Sequence, residues 1–407
     1  MPRIQPRTGT SFDCLVEPVI SDIFAYTWRL SNGAWSDLHR IRTRTQTRIP
    51  YTLASVSRHW RAIALTTSRI WSFIDLSLPP KALTVHLARS KNVPIEVELI
   101  TYEDSNAHDV QESLRILEET GSWARIQYLS AILNREHARL LAVAFNNAID
   151  ADTTGTIQTI ALRRNAFGDV ADGLYPHIPP FQPFYSVDMG SIGLPLSPLR
   201  GLENINFKYI EVPLLDSLFP FLDLTPNLTR LSLEHCWLQS GVTNTRPRHS
   251  ILLSNLKELR LNKLDSITTV LNMLFRTLDT PNLEFLEIIC TYSAAFRHEL
   301  DLDAICRNRA LKCLYLTKMH YGALLRLFPQ LHNLGQLEQL ALSPDYKCRN
   351  GASVKFVGQL AGALLQTCCC PALRELSLPS HITEEATEMI NELGRTRPLL
   401  NIIRVQS

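Results

Sequence analysis

Apolar residues along most of the chain recur as Leu-x-x-Leu-x-Leu, and the last two leucines of each copy stand two apart, the period of a half-buried strand. The clearest copies begin at Leu228 (NLTRLSLEHC), Leu256 (NLKELRLNKL), Leu283 (NLEFLEIIC), Leu311 (ALKCLYLTKM), Leu337 (QLEQLALS), Leu373 (ALRELSLPS) and Leu400 (LLNIIRV), spaced 28, 27, 28, 26, 36 and 27 residues apart. Weaker copies lie upstream at Leu202 (LENINF), Phe184 (FYSVDM) and Ile157 (IQTIAL). The runs at Ile95 (IEVELI) and Ile126 (IQYLSAI) extend the series back toward Trp71. Between strands, residues 107–120, 134–149, 267–278 and 354–366 carry helical apolar spacing. Pro79, Pro226, Pro281, Pro371 and Pro398 mark places where a helix or loop stops before the next strand. Before Trp71 the period is different. Leu15, Val19, Ile20, Ile23, Phe24 and Trp28 form one apolar helix face, and Leu53, Val56, Trp60, Ile63 and Ala64 form a second. The polar stretch 31–50 between them, closed by Pro50, is predicted to be a loop.

One such copy cannot bury its own leucines, whereas stacked copies share a continuous core under a parallel sheet, with helices on the far side. The spacing matches the roughly 20 to 29 residues of leucine-rich repeats. The expected fold is therefore α/β: an N-terminal helical domain followed by a leucine-rich-repeat solenoid with a curved parallel sheet and outer helices. The expected division is a flexible N-terminus at 1–12, a helical domain at 13–70 with the inserted loop 31–50, and the repeats at 71–407.

Composition narrows the function. The 407 residues are 45% hydrophobic and carry 41 Lys/Arg against 39 Asp/Glu, so a sizeable core is available and no whole-chain charge favours nucleic acid. Neither nucleic acid nor membrane is expected as a partner, since no apolar run approaches the roughly 18 residues that suggest a span. The first residues show no apolar stretch of the secretory kind, so the chain is expected inside the cell, in cytoplasm or nucleus. In that setting the sequon at Asn227 is expected to stay unmodified. Nine cysteines, an odd number, fit reduced thiols. Neither the run Cys368, Cys369, Cys370 nor the pair Cys306 and Cys313 has the spacing of a tetrahedral zinc site. The first 80 residues hold 10 Lys/Arg against 5 Asp/Glu, and much of the excess falls in His39-Arg40-Ile41-Arg42-Thr43-Arg44 with Arg48. With only Trp35 as a nearby aromatic, that run is expected to be a solvated surface that can also approach an acidic partner.

Residues 15–76, LVEPVISDIF followed by LASVSRHWRAIALTTSRIWSFIDL, resemble the F-box motif as it occurs in the fungal families of F-box proteins with leucine-rich repeats. The second half carries the resemblance most specifically: Leu53, Val56, Ser57, Arg58, Trp60, Arg61, Ile63 and then Arg69, Ile70, Trp71. In the first half, the usual Leu-Pro pair stands as Leu15-Val16 with Pro18 two positions on. The resemblance implies a substrate receptor of an SCF-type ubiquitin ligase, docked by its F-box on a Skp-family adaptor and through it on cullin, with the repeats holding an unidentified target protein. Carried over residue by residue, it implies that Leu15, Pro18, Ile20, Ile23, Phe24, Leu53, Val56 and Trp60 form the helical core and the adaptor-facing surface. The apolar faces themselves allow two readings, adaptor docking or packing against the first repeat. The alternative function is a stand-alone leucine-rich-repeat scaffold with no ligase association.

A target is expected on the strand-lined concave face. Alternation puts Arg230, Ser232 and Glu234 outward, then Glu258, Arg260 and Asn262, then Phe285, Glu287 and Ile289, then Cys313, Tyr315 and Thr317, then Gln339, Ala341 and Ser343. Phe285, Ile289 and Tyr315 fill with apolar and aromatic groups the positions that other copies fill with polar ones. With Arg230, Arg260 and Glu287 around them they form the candidate target site; the competing reading is that neighbouring segments cover Phe285 and Ile289. No catalytic motif stands out, and His298-Glu299 lacks the second histidine of a zinc motif because Leu302 occupies that position. No catalysis, cofactor or metal is expected.

Overall fold

Ser57 divides the second N-terminal apolar stretch into two helices. Its backbone is extended, with φ −155° and ψ 169°, and its side-chain oxygen accepts the Trp60 amide at 3.1 Å, which satisfies one of the unpaired donors of a helix start. In this computed structural model, α1 covers Glu17–Ser31, α2 covers His39–Val56 and α3 covers Arg58–Thr66. The structure describes residues 17–31, 39–101, 105–150, 156–164, 201–208, 211–213, 218–234, 236–239, 250–264, 268–290, 305, 307–319, 321–344, 352–365, 369–379 and 384–405. Leu15, Trp35, the strand expected at Phe184, His298, Glu299, Cys306 and Cys368 lie outside them. Ser57→Ala is expected to lower stability by about 1 kcal/mol, read as a shift in the urea unfolding curve followed by circular dichroism.

The predicted loop 31–50 is corrected by α2. From His39 onward the chain is helical, with Pro50 inside the helix. Pro50 has no amide to give to the carbonyl four residues back, yet it is buried and the helix continues to Val56. The packing of Leu53 and Ala54 against the core anchors that end.

The chain forms two compact units: residues 1–140 with 151–157, and residues 141–150 with 158–407. The first holds α1 to α3 together with three parallel strands, Phe73–Asp75, Ile95–Ile100 and Ile126–Leu133. Helices at Pro80–Ser90 and Ala107–Glu119 lie between those strands in the chain. Pro79 caps the first of these helices and so starts a helix, contrary to its expected role as a stop.

The second unit is a ladder of nine parallel strands among its described residues: Thr159–Arg164, Asn204–Lys208, Arg230–Glu234, Glu258–Leu264, Phe285–Cys290, Cys313–Met319, Gln339–Pro344, Glu375–Pro379 and Asn401–Val405. Its register follows the repeat. Leu231, Leu259, Leu286, Leu314, Leu340 and Leu376 are cross-strand neighbours in one buried column, and Leu233, Leu261, Ile288, Leu316 and Leu342 form the next. The leading leucines at 228, 256, 283, 311, 337, 373 and 400 are buried as well. At about 1.5 to 3 kcal/mol for each such side chain, this shared burial is what holds the stack.

Polar clamps reinforce it. Asn255 Nδ2 donates to the Pro226 carbonyl at 3.0 Å and Asn282 Nδ2 to the Ser254 carbonyl at 2.8 Å, each reaching one repeat back. Pro226, Pro281, Pro371 and Pro398 each begin the turn before a strand. The expected outer helices are present at Thr268–Thr277 and Ala352–Leu365, and a further one stands at Glu384–Thr396. The architecture is that of leucine-rich repeats.

Candidate protein-interaction surfaces

The N-terminal helices close on a small apolar core of Ile20, Phe24, Ile63, Ala64, Ile70, Trp71 and Phe73, with Leu53, Ala54 and Trp60 packed against it. The Phe24 and Trp60 rings meet at 5.0 Å. The Trp71 Nε1 donates to the Ala64 carbonyl at 2.7 Å, so the indole is both buried and satisfied. Ser21 and Thr67 join α1 to the end of α3 through their hydroxyls at 3.0 Å, and Arg61 Nε ties α3 back to the Ala54 carbonyl at 2.9 Å.

This core sorts the residues carried over from the F-box resemblance. Ile20 and Phe24 have 1% and 0% exposure, so they hold the helices together and offer no surface. Ile23, Leu53 and Trp60 are half-buried. Pro18 is exposed, and Val56 is 58% exposed at the end of α2. Val19, Tyr26 and Leu65 also expose apolar surface, although sequence reasoning did not single them out as surface groups. The basic run 39–44 lies in α2 instead of a loop, and Arg48 is exposed.

The second surface is the outward face of the nine-strand ladder. Register puts Glu258 beside both Arg230 and Phe285, and Glu287 beside Arg260 and Tyr315. Arg230 Nε reaches Glu258 at 3.2 Å, while Arg260 binds Glu258 at 2.5 Å and lies 3.8 Å from Glu287. The Arg260 guanidinium also stacks 4.8 Å from the Phe285 ring centre, and Phe285 meets Tyr315 edge to face at 5.3 Å. Tyr315 donates to Gln339 Oε1 at 2.5 Å, and Asn262 Nδ2 to Glu287 at 2.9 Å. Burial, more than the neighbouring charges, raises the Tyr315 hydroxyl above its usual range and keeps it a donor.

The ladder thus joins Arg230, Arg260, Phe285, Glu287 and Tyr315 in one contiguous network, with Ile289 one position along between Asn262 and Thr317. Phe285, Ile289 and Tyr315 are half-buried, neither sealed nor fully open. Exposed ion pairs add little stability, but this set holds two aromatic rings at a fixed angle inside a charged rim. Glu258, Asn262 and Gln339 complete it. They were legible as outward positions, and the 28- and 27-residue spacings place Glu258 opposite Arg230 and Glu287 opposite Arg260.

Among the described residues no group of three or more His, Cys, Asp or Glu side chains is arranged to hold a metal ion, and no helix is long and apolar enough to cross a membrane.

No family model and no curated protein matches the chain. Among solved structures, it is similar to an internalin from Listeria monocytogenes, with 13% identity, a TM-score of 0.37, and 89% of this chain and 94% of that chain covered.

Proposed function

We propose that the chain is a protein-binding receptor that performs no chemistry itself: its ladder face holds a target protein, and its N-terminal helices dock on a Skp-family adaptor, joining the target to an SCF-type ubiquitin ligase through cullin. The observation that carries the binding reading is the network around Phe285 and Tyr315. Paired aromatic anchors, half-desolvated and rimmed by charge, are the composition of an interaction hot spot. The ligase reading rests on the resemblance of Leu53 to Trp71 to the F-box, and on Val56 and Pro18 being exposed.

The burial of Ile20 and Phe24 favours a second reading, a stand-alone scaffold, because two of the positions carried over from the motif serve the interior here. Adaptor titration of the full-length chain separates the two. Val56→Glu is expected to weaken adaptor binding by about tenfold or more, about 1.4 kcal/mol, with an unchanged melting curve because the side chain is exposed. A folded wild-type chain that does not bind the adaptor sinks the ligase reading and leaves the scaffold.

A further inference from the structure

Four cations on or beside the ladder face are already committed within the chain. Lys208 holds Glu234 at 2.9 Å, Arg230 reaches Glu258 at 3.2 Å, Arg260 holds the same carboxylate at 2.5 Å, and Lys312 holds Glu284 at 2.8 Å. Glu338 and Glu375 break this pattern. Both are half-buried, and among the described residues neither forms an ion pair. The exposed Arg374, also unpaired, offsets one of the two charges and leaves the other uncompensated. A carboxylate partly withdrawn from water without a partner is costly, and a cation brought to it relieves that cost.

The field at the aromatic pair has the same sign. Burial is the first cause that raises the Cys313 thiol, and the charges of Glu338 and Glu375 come next, against Lys312. At the Tyr315 hydroxyl, Glu375 and Glu287 act after burial and Cys313, against Arg260.

Register sets Glu375 at the side of a trough. Glu375 neighbours Gln339, whose Oε1 accepts the Tyr315 hydroxyl. In the next outward row, Tyr315 is followed across the strands by Ala341, Ser377 and Ile403. Ala341 and Ser377 are small, while Tyr315 on one side and Ile403, 37% exposed, on the other are large. With strands about 4.8 Å apart, these two walls stand about 14 Å apart from backbone to backbone, room for a single extended segment.

We infer that the target segment held on this face is basic: a lysine or arginine of the partner lays its methylene stem against Tyr315, over Ala341 and Ser377, and sets its charged head at Glu375. The inference rests on the reading of the ladder face as the target-binding surface and adds the chemistry of what binds there. Long cationic side chains bury their stems on apolar ground while the head stays with polar groups. Arginine also stacks on aromatic rings, as Arg260 does on Phe285. An acidic segment would bring like charge against Glu375, Glu338 and Glu287, which costs affinity.

The test selects binders to the folded full-length chain from a random peptide library. The selected peptides are expected to be enriched in lysine and arginine. For the tightest of them, synthesised and titrated, Glu375→Gln is expected to weaken binding about tenfold with an unchanged melting curve. Replacing the peptide's arginine by neutral citrulline, or its lysine by acetyl-lysine, is expected to give the same loss. Basic peptides that bind the Glu375→Gln variant as tightly as the wild type would overturn the inference. Neutral or acidic peptides that lose affinity with a folded Phe285→Ala or Tyr315→Ala variant would overturn it too, while leaving the ladder face as a binding surface. A selection whose peptides are all indifferent to Phe285 and Tyr315 removes both the inference and the reading beneath it.

Discussion

Replacing Trp71 with alanine is expected to remove about 3 to 5 kcal/mol of stability from the N-terminal unit. The indole has 0% exposure and is held on every side. Its Nε1 donates to the Ala64 carbonyl at 2.7 Å, its face lies 4.4 Å from the Arg89 guanidinium, and Tyr51 and His86 approach edge to face at 5.4 and 5.0 Å. Truncation removes a large buried surface and leaves a cavity that α2 and the helix Pro80–Ser90 cannot both close on. Trp71→Phe separates the contributions: most apolar contact stays, while the Ala64 carbonyl loses its partner, at about 1 to 2 kcal/mol. Urea unfolding of the full-length chain, with hydrogen exchange reporting on residues 39–100, measures both. An alanine variant within about 1 kcal/mol of wild type would be incompatible with this packing.

The elements that were legible in the sequence are those whose own residues carry the period. Leu231 and Leu233, or Leu259 and Leu261, alternate with polar neighbours, so their face and strand follow directly. The helix through residues 39–50 was not legible, because an arginine-rich stretch closed by Pro50 shows no apolar stripe; its support comes from Leu53 and Ala54 beyond it and from core residues distant in sequence. The side chains of α1 show the same limit. The apolar face containing Ile20 and Phe24 was plain, but whether it meets a partner or the chain's own Ile63 and Trp71 depends on contacts some 40 residues away. On the ladder face, outward positions were readable one by one. Which of them touch depended on register, and the edge-to-face pair of Phe285 with Tyr315 is a diagonal contact, not a direct cross-strand one.

Acid is expected to destabilise the N-terminal unit through His86. The ring has no exposed surface and sits beside Trp71, with Nε2 at 3.0 Å from the Tyr51 hydroxyl. Burial pushes its pKa down from 6.5 to about 4; the Arg89 charge acts in the same direction, and the Phe73 backbone acts against it. The unfolded chain therefore takes up a proton near pH 6.5 that the folded chain refuses until about pH 4. Stability is fully present above that window and falls as the pH drops through it, by on the order of 3 kcal/mol in total. His137, also lowered by burial, adds to the slope in the same sense. Asp75 opposes it: burial raises its pKa above 3.8, so the folded chain holds a proton that the unfolded chain has released, and this softens the acid end of the fall. His86→Gln keeps a polar neighbour for Tyr51 but cannot titrate. Its urea midpoint, followed from pH 7 to pH 4, is expected to decline less steeply than that of the wild type. Parallel curves would mean that His86 is free to take up its proton in the folded chain, and that the cluster with Tyr51 and Trp71 does not exclude it.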